Sequence, residues 1–137
     1  MQWKFKTYVS PTGRAEVQDE IDALEVEVSI GFQVRIRYLA TTPKNDWKKP
    51  HARKLQGVKD VYEIRFKANG VEFRPLGYFG PNEGEFTILI WAYKKQDIYD
   101  PANAIKSADK RRKQIVEGKG ECTDLQIDGV NFPPIEE

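Results

Sequence analysis

The sequence predicts an α+β domain in the order β-α-α-β-β-β-α, and two observations carry that reading. Three strand-like runs, over 61–67, 71–79 and 85–93, are joined by short turns. Helical periodicities flank them on both sides, two before and one after. Strands joined by tight turns give an antiparallel meander, against which the first strand can close, with the helices packed on one face.

The first strand is expected over 2–9, where Trp3, Phe5 and Val9 share one period-2 face. Ser10-Pro11-Thr12-Gly13 breaks it, and Thr12 is placed to cap a helix over 13–27. Val17, Ile21, Leu24 and Val28 form the inner stripe of that helix, and Glu16, Asp19, Glu20, Asp22 and Glu25 its wet face. The next stretch reads two ways. Val26, Val28, Ile30, Phe32, Val34, Ile36 and Tyr38 alternate like a strand, but a strand that long is well past the usual five or six residues. Val28, Phe32, Ile36 and Leu39 fit a helix over 28–41, which Thr42-Pro43 ends.

A loop rich in Lys and Arg then runs over 43–57. Within the meander, Asn69-Gly70 is a tight-hairpin signal, and Gly80-Pro81-Asn82-Glu83-Gly84 makes the second turn. Pro101 suits the first turn of a helix over 102–117, whose apolar positions are Ala104, Ile105, Ala108, Ile115 and Val116, with Gly118 and Gly120 at its end. Residues 1–119 are expected to form the domain, and 120–137 an acidic extension with one short strand at 125–127.

The 137 residues suit one domain. No run approaches the ~20 apolar residues of a membrane span, and the N-terminus lacks the apolar core of a signal peptide. Cys122 is the only cysteine and His51 the only histidine, so neither an internal disulfide nor a zinc site is expected. The cytoplasm is the expected location, and no cofactor or metal is called for.

The formal net charge of +1 hides a strong division. Residues 44–74 carry +5 and 94–119 carry +4, against −5 for 12–28 and −5 for the tail 120–137. Basic middle segments between acidic ends are the kind of asymmetry that nucleic-acid binding uses. The acidic tail either folds back over the basic segments or adds an edge strand through Leu125 and Ile127.

Lys54-Leu55-Gln56-Gly57, Tyr62-Glu63-Ile64-Arg65-Phe66, Asn69-Gly70, Glu72-Phe73-Arg74, Thr87-Ile88-Leu89-Ile90 and Ala92-Tyr93-Lys94-Lys95 follow one another at hairpin spacing. A Pro-led helix with Ala104, Ala108 and Arg111 comes next. In this order the motifs resemble the RelE/HigB-type toxin superfamily, in particular its phage-derived branch. The resemblance implies a RelE-like fold and a basic concave sheet that holds messenger RNA in the ribosomal decoding site. It also implies cleavage by attack of the ribose 2′-hydroxyl on the adjacent phosphate. The implied partners are an antitoxin protein, messenger RNA and the ribosome; a homo-oligomer stays open. By position, Arg65 and Arg74 match the family's strand arginines, Lys94 and Lys95 the lysine pair after the third meander strand, and Lys54, loosely, a basic residue before the sheet.

Such cleavage needs a base, cations for the phosphorane and an acid for the leaving oxygen. Arginine suits the second role because its planar fork holds phosphate bidentately. Strand alternation puts Glu63, Arg65 and Lys67 on one face and Glu72 with Arg74 on one face of the next strand. The two arginines either grip phosphate together or pair across the strands, Arg65 with Glu72 and Glu63 with Arg74. Lys94 and Lys95 are candidate proton carriers or a solvated strand end. Tyr93 is a candidate base-stacking ring or a rim aromatic. Trp47, with Lys48 and Lys49, has the aromatic-plus-cation pattern of a single-strand binder or anchors its loop. Arg111 and Arg112 are candidate contacts to RNA phosphates or part of a wet helix face. His51 lies outside the motifs, and Cys122 has no base beside it. No histidine stands at the end of the sheet where many relatives place one, and Tyr99 is the nearest substitute.

Overall fold

The computed structural model describes residues 2–134. It is an α+β fold, with the helices and meander in the expected order. Strand β1 (Lys4–Val9) leads to helix α1 (Glu16–Asp22) and then to helix α2 (Val26–Ala40). The stripe expected over 13–27 is therefore divided. Its inner residues Val17, Ile21 and Val28 are all buried, but the chain turns at Ala23–Glu25, where Glu25 is extended, so Val28 belongs to α2. Thr12 does not cap α1. Ala15 precedes the helix without a side-chain cap, and the Ser10 hydroxyl accepts the Arg14 N–H instead.

The segment expected as a loop holds a short strand, β2 (Ala52–Lys54). The three meander runs are present, each divided by a bend. The first gives β3 (Tyr62–Ile64) and β4 (Phe66–Ala68), the second β5 (Val71–Phe73) and β6 (Leu76–Phe79), and the third β7 (Glu85–Ile90) and β8 (Tyr93–Lys95). The bends fall at Arg65, Arg74–Pro75 and Trp91–Ala92, and they part the meander into two sheets. Asn69-Gly70, both at positive φ, makes the expected tight turn. A second tight turn at Gln96-Asp97 adds β9 (Ile98–Asp100) to β8.

Helix α3 (Ala104–Val116) begins three residues after Pro101, not around it. The tail adds its edge strand through β10 (Glu121–Asp124), which lies beside β1, and the short strand expected at 125–127 is present as Gln126–Ile127. A small hairpin, β11 (Gln126–Ile127) with β12 (Val130–Asn131), ends the described chain.

The larger sheet has the order β10-β1-β7-β6-β3-β2, and the smaller one β4-β5-β8-β9. All neighbours are antiparallel except β1 and β7, which run parallel with Phe5 opposite Phe86. The helices do not share one face. Phe5 packs on Trp47 and Phe86, whereas Tyr8, on the other face of β1, donates a hydrogen bond to Gln114 of α3. Every residue of β7 from Phe86 to Ile90 is buried, as a strand covered on both sides requires.

One core cluster stacks Phe5, Trp47, Tyr62, Phe79 and Phe86; another joins Phe32 of α2 to Phe66, Phe73 and Trp91. Gly31 lets α2 approach closely, since a Cβ there would stand 3.3 Å from the Phe66 ring. No helix among the described residues is long and apolar enough to cross a membrane.

Candidate functional site: a buried carboxylate ringed by cations

Strand alternation turns Tyr62, Ile64 and Phe66 into the core, and Glu63 and Arg65 to the opposite face. Glu63 is fully buried there. Its Oε2 accepts from Arg53 Nε at 2.6 Å and from Arg65 Nη1 at 2.9 Å. Its Oε1 accepts from the Tyr99 hydroxyl at 2.6 Å, and Arg74 Nε and Lys94 Nζ each stand 3.8 Å away. A lone buried carboxylate is costly, so this compensation is what permits it. Burial works to raise the Glu63 pKa, but the hydrogen bonds from Tyr99 and Arg53 and the charges of Arg53 and Lys94 prevail and hold it below the usual value. Burial, then the hydrogen bond to Glu63, pushes the Tyr99 phenol far up.

Each surrounding residue is delivered by its strand. Arg53 lies opposite Glu63 in the β2–β3 register, and Lys94 lies opposite both Glu72 and Tyr99. Lys94 also sits 4.7 Å from the centre of the Tyr99 ring. Arg74 is buried at the bend between β5 and β6. Its Nη1 donates to the Phe73 carbonyl at 2.7 Å, and its Nη2 binds the Glu72 carboxylate at 2.5 Å. The Glu72 pKa is lowered by that bond. An open cleft of about 340 Å³ lies over this ring, lined by Arg65, Glu72, Arg74, Lys94, Gln96 and Asp97. The Nε atoms of Arg65 and Arg74 are buried without a hydrogen-bond partner.

Arg65 and Arg74 thus stand on the same side of the sheet, as the alternation implies, but neither is an open fork. The pairing is along each strand, Arg65 with Glu63 and Arg74 with Glu72, rather than the Arg65–Glu72 cross-strand pairing. Glu63 and Arg74 do face each other, at 3.8 Å. Around the cleft, Arg53, Arg65, Arg74 and Lys94 outnumber Glu63, Glu72 and Asp97 by one charge.

The other candidate residues lie elsewhere. Lys94 and Lys95 point to opposite faces: Lys94 turns to Glu63, while Lys95 is exposed beside Tyr93. Tyr93 packs on Phe73 and donates to Asp100 Oδ2 at 2.6 Å, which raises its pKa. Lys54 is exposed at the end of β2, and its neighbour Arg53 is the basic residue that stands beside Glu63. Trp47 cannot stack on a base. It is 4% exposed, lies within the aromatic core, and its indole N–H donates to the Thr42 carbonyl at 2.9 Å. Lys48 and Lys49 are exposed on the turn it anchors.

Arg111 and Arg112 do not form an open rim. Arg111 binds the Leu89 carbonyl and Glu16 and lies over the Tyr8 ring; Arg112 is buried and binds Asp109. His51 stacks on Tyr38, 4.1 Å between ring centres, and burial followed by Arg35 lowers its pKa. Cys122 is partly buried beside Thr87, and burial raises its pKa. No cluster of metal-ligating side chains occurs among the described residues.

The sequence singles out Glu63 only as a partner for Arg74, and Arg53 not at all. Their signal was present in the strand register, but it becomes legible only once β2 is recognised as a strand.

No curated protein and no solved structure matches the chain. The family model for phage derived protein Gp49-like (DUF891) matches residues 19–113, which run from α1 through the cation ring to the last turn of α3. The chain therefore belongs to the phage-derived Gp49-like family, within the RelE/ParE-like toxin superfamily.

Proposed function

We propose that this protein is the toxin of a type II toxin–antitoxin pair, that it engages messenger RNA at the ribosome, and that the face built on Glu63 receives the RNA backbone. The observation that carries this is the convergence of Arg53, Arg65, Arg74 and Lys94 on one buried carboxylate beneath an open cleft. A buried anion that assembles cations holds their side chains in fixed directions, so a phosphate entering the cleft meets preorganised charge. In cleavage by 2′-hydroxyl attack, Arg65 and Lys94 would stabilise the phosphorane. Tyr99, whose hydroxyl donates to Glu63 Oε1 and which lies outside the cleft lining, would hold that carboxylate in place rather than carry a proton. The antitoxin is the partner such a toxin requires.

The test is induced expression with pulse-labelled translation and primer extension on a reporter mRNA. Arrest with discrete cuts is expected, with relief by Arg65→Ala and Lys94→Ala and no relief by Lys113→Ala. Equal arrest by all four proteins counts against the site.

One observation favours a second reading, a non-catalytic RNA-binding module on the same scaffold. The cleft is lined by no histidine, and carboxylates already occupy both arginines. This reading predicts RNA binding that weakens steeply with salt and leaves the RNA intact.

A further inference from the structure

Helix α2 is apolar on two sides. Val28, Phe32, Ile36 and Leu39 are buried against the domain. On the other side Val26, Ile30, Val34 and Tyr38, spaced by four, form a ridge that is 69%, 54%, 62% and 46% exposed. Among the described residues nothing covers this ridge, and a contiguous exposed apolar ridge marks an interaction surface.

The charges on α2 are sorted by end. Glu25 and Glu27 lie at its start and Arg35 and Arg37 near its finish, and Glu25, Glu27 and Arg37 are exposed. The shape is sorted as well. A depression of about 460 Å³ flanks the start of the ridge, lined by the apolar Ile21, Leu24, Val26 and Ile30 and by the acidic Asp22 and Asp128. At the far end the Tyr38 ring stands out, backed by His51.

We propose that this face docks a second copy of the chain, with the two α2 helices antiparallel about a twofold axis beside Phe32. Such an interface is isologous, so each end of the helix must complement the other end. Val26 then meets Tyr38 of the second copy, and Ile30 meets Val34. The acidic start of each helix lies beside the basic finish of the other. The depression beside Val26 lies on the Ser29 and Gln33 side of the helix, the side on which Arg37 of the second copy arrives. A parallel arrangement would set like charges together, and a nucleic acid would gain nothing from the apolar ridge. The proposal stands apart from the cation ring, because none of its residues lines that cleft.

The test is sedimentation equilibrium of the full chain up to about 200 μM, a range that reveals micromolar association. A monomer–dimer equilibrium is expected. Ile30→Glu should raise its dissociation constant by about tenfold or more, as a central contact does. Circular dichroism should stay unchanged, because the side chain is outside the core. Val34→Lys serves as a second variant should Ile30→Glu disturb folding. Glu27→Arg should weaken the dimer, and adding Arg37→Glu should restore it. A monomer at every concentration overturns the proposal and gives the ridge to a different protein. A dimer indifferent to both ridge variants also overturns it, and a double charge variant no tighter than Glu27→Arg overturns the antiparallel orientation.

Discussion

Tyr99 and Glu63, 36 residues apart, share a 2.6 Å hydrogen bond that ties the smaller sheet to the larger one. The phenol comes from the outermost strand of one sheet and the carboxylate from a strand within the other. Because the strands of the meander bend between the two sheets, this bond spans the bend. Tyr99→Phe keeps the ring under Lys94 and removes only the bond. It should lower stability by about 2 kcal/mol, the scale of a hydrogen bond to a charged group, read from urea denaturation.

Glu63→Ala leaves Arg53, Arg65 and Lys94 without their shared counter-ion. Breaking a buried ionic cluster at one member costs about 3 kcal/mol or more. Thermal unfolding should show that loss, and it should exceed the loss from Glu72→Ala, whose carboxylate is nearly half exposed.

The same carboxylate sets the acid limb of stability. Its pKa is lower folded than unfolded. The unfolded state therefore takes up its proton first as pH falls. The stabilisation is complete above the ordinary carboxylate value of 4.5 and is lost as pH drops through the lower folded value. Glu72, also lowered, adds in the same direction. Denaturant midpoints below pH 5 should fall less steeply for Glu63→Gln than for the wild type. Identical slopes would remove Glu63 as the group responsible.

Trp47→Ala should cost about 3 kcal/mol by emptying the aromatic cluster. Lys48→Ala, next to it and exposed, should leave stability within about 0.5 kcal/mol. If Trp47→Ala instead unfolds at the wild-type denaturant concentration, the ring is not the core element described above.

Gly77→Ala tests packing at the irregular register between β6 and β7. A Cβ there would stand 2.4 Å from the Thr87 carbonyl oxygen and 2.5 Å from the Phe86 ring. Neither the paired backbone nor the packed ring can give way cheaply. A loss of about 2 kcal/mol is expected in chemical denaturation.

Much of the architecture was legible because its signals are local. Asn69-Gly70 names its own turn, and the period-2 pattern of Tyr62, Ile64 and Phe66 names a buried face. The β8–β9 hairpin was hidden for the converse reason. Gln96 and Asp97 both adopt positive φ, yet they lack the glycine that usually marks such a turn. With that hairpin unseen, Tyr99 had no path to Glu63. Arg53 was missed because a three-residue strand has too little pattern to separate it from a loop. Trp47 drew attention to its lysine neighbours, while its actual partners, Phe5, Tyr62, Phe79 and Phe86, are scattered through the chain. The buried fate of Arg74 and Arg112 also depends on long-range packing, which composition and charge counts do not register.

The position of β10 decides what becomes of β1 when the tail is lost. Glu121–Asp124 occupies the outer hydrogen-bonding row of β1, and Asp124 draws in Lys4 and Lys6. Removing it bares a six-residue strand whose open amides and carbonyls invite a foreign chain to pair. A chain cut at residue 120 would therefore be prone to self-association through strand addition. In the intact chain Glu121, exposed on β10, sets a charge at the margin of the sheet, where an uncharged edge would welcome a neighbour.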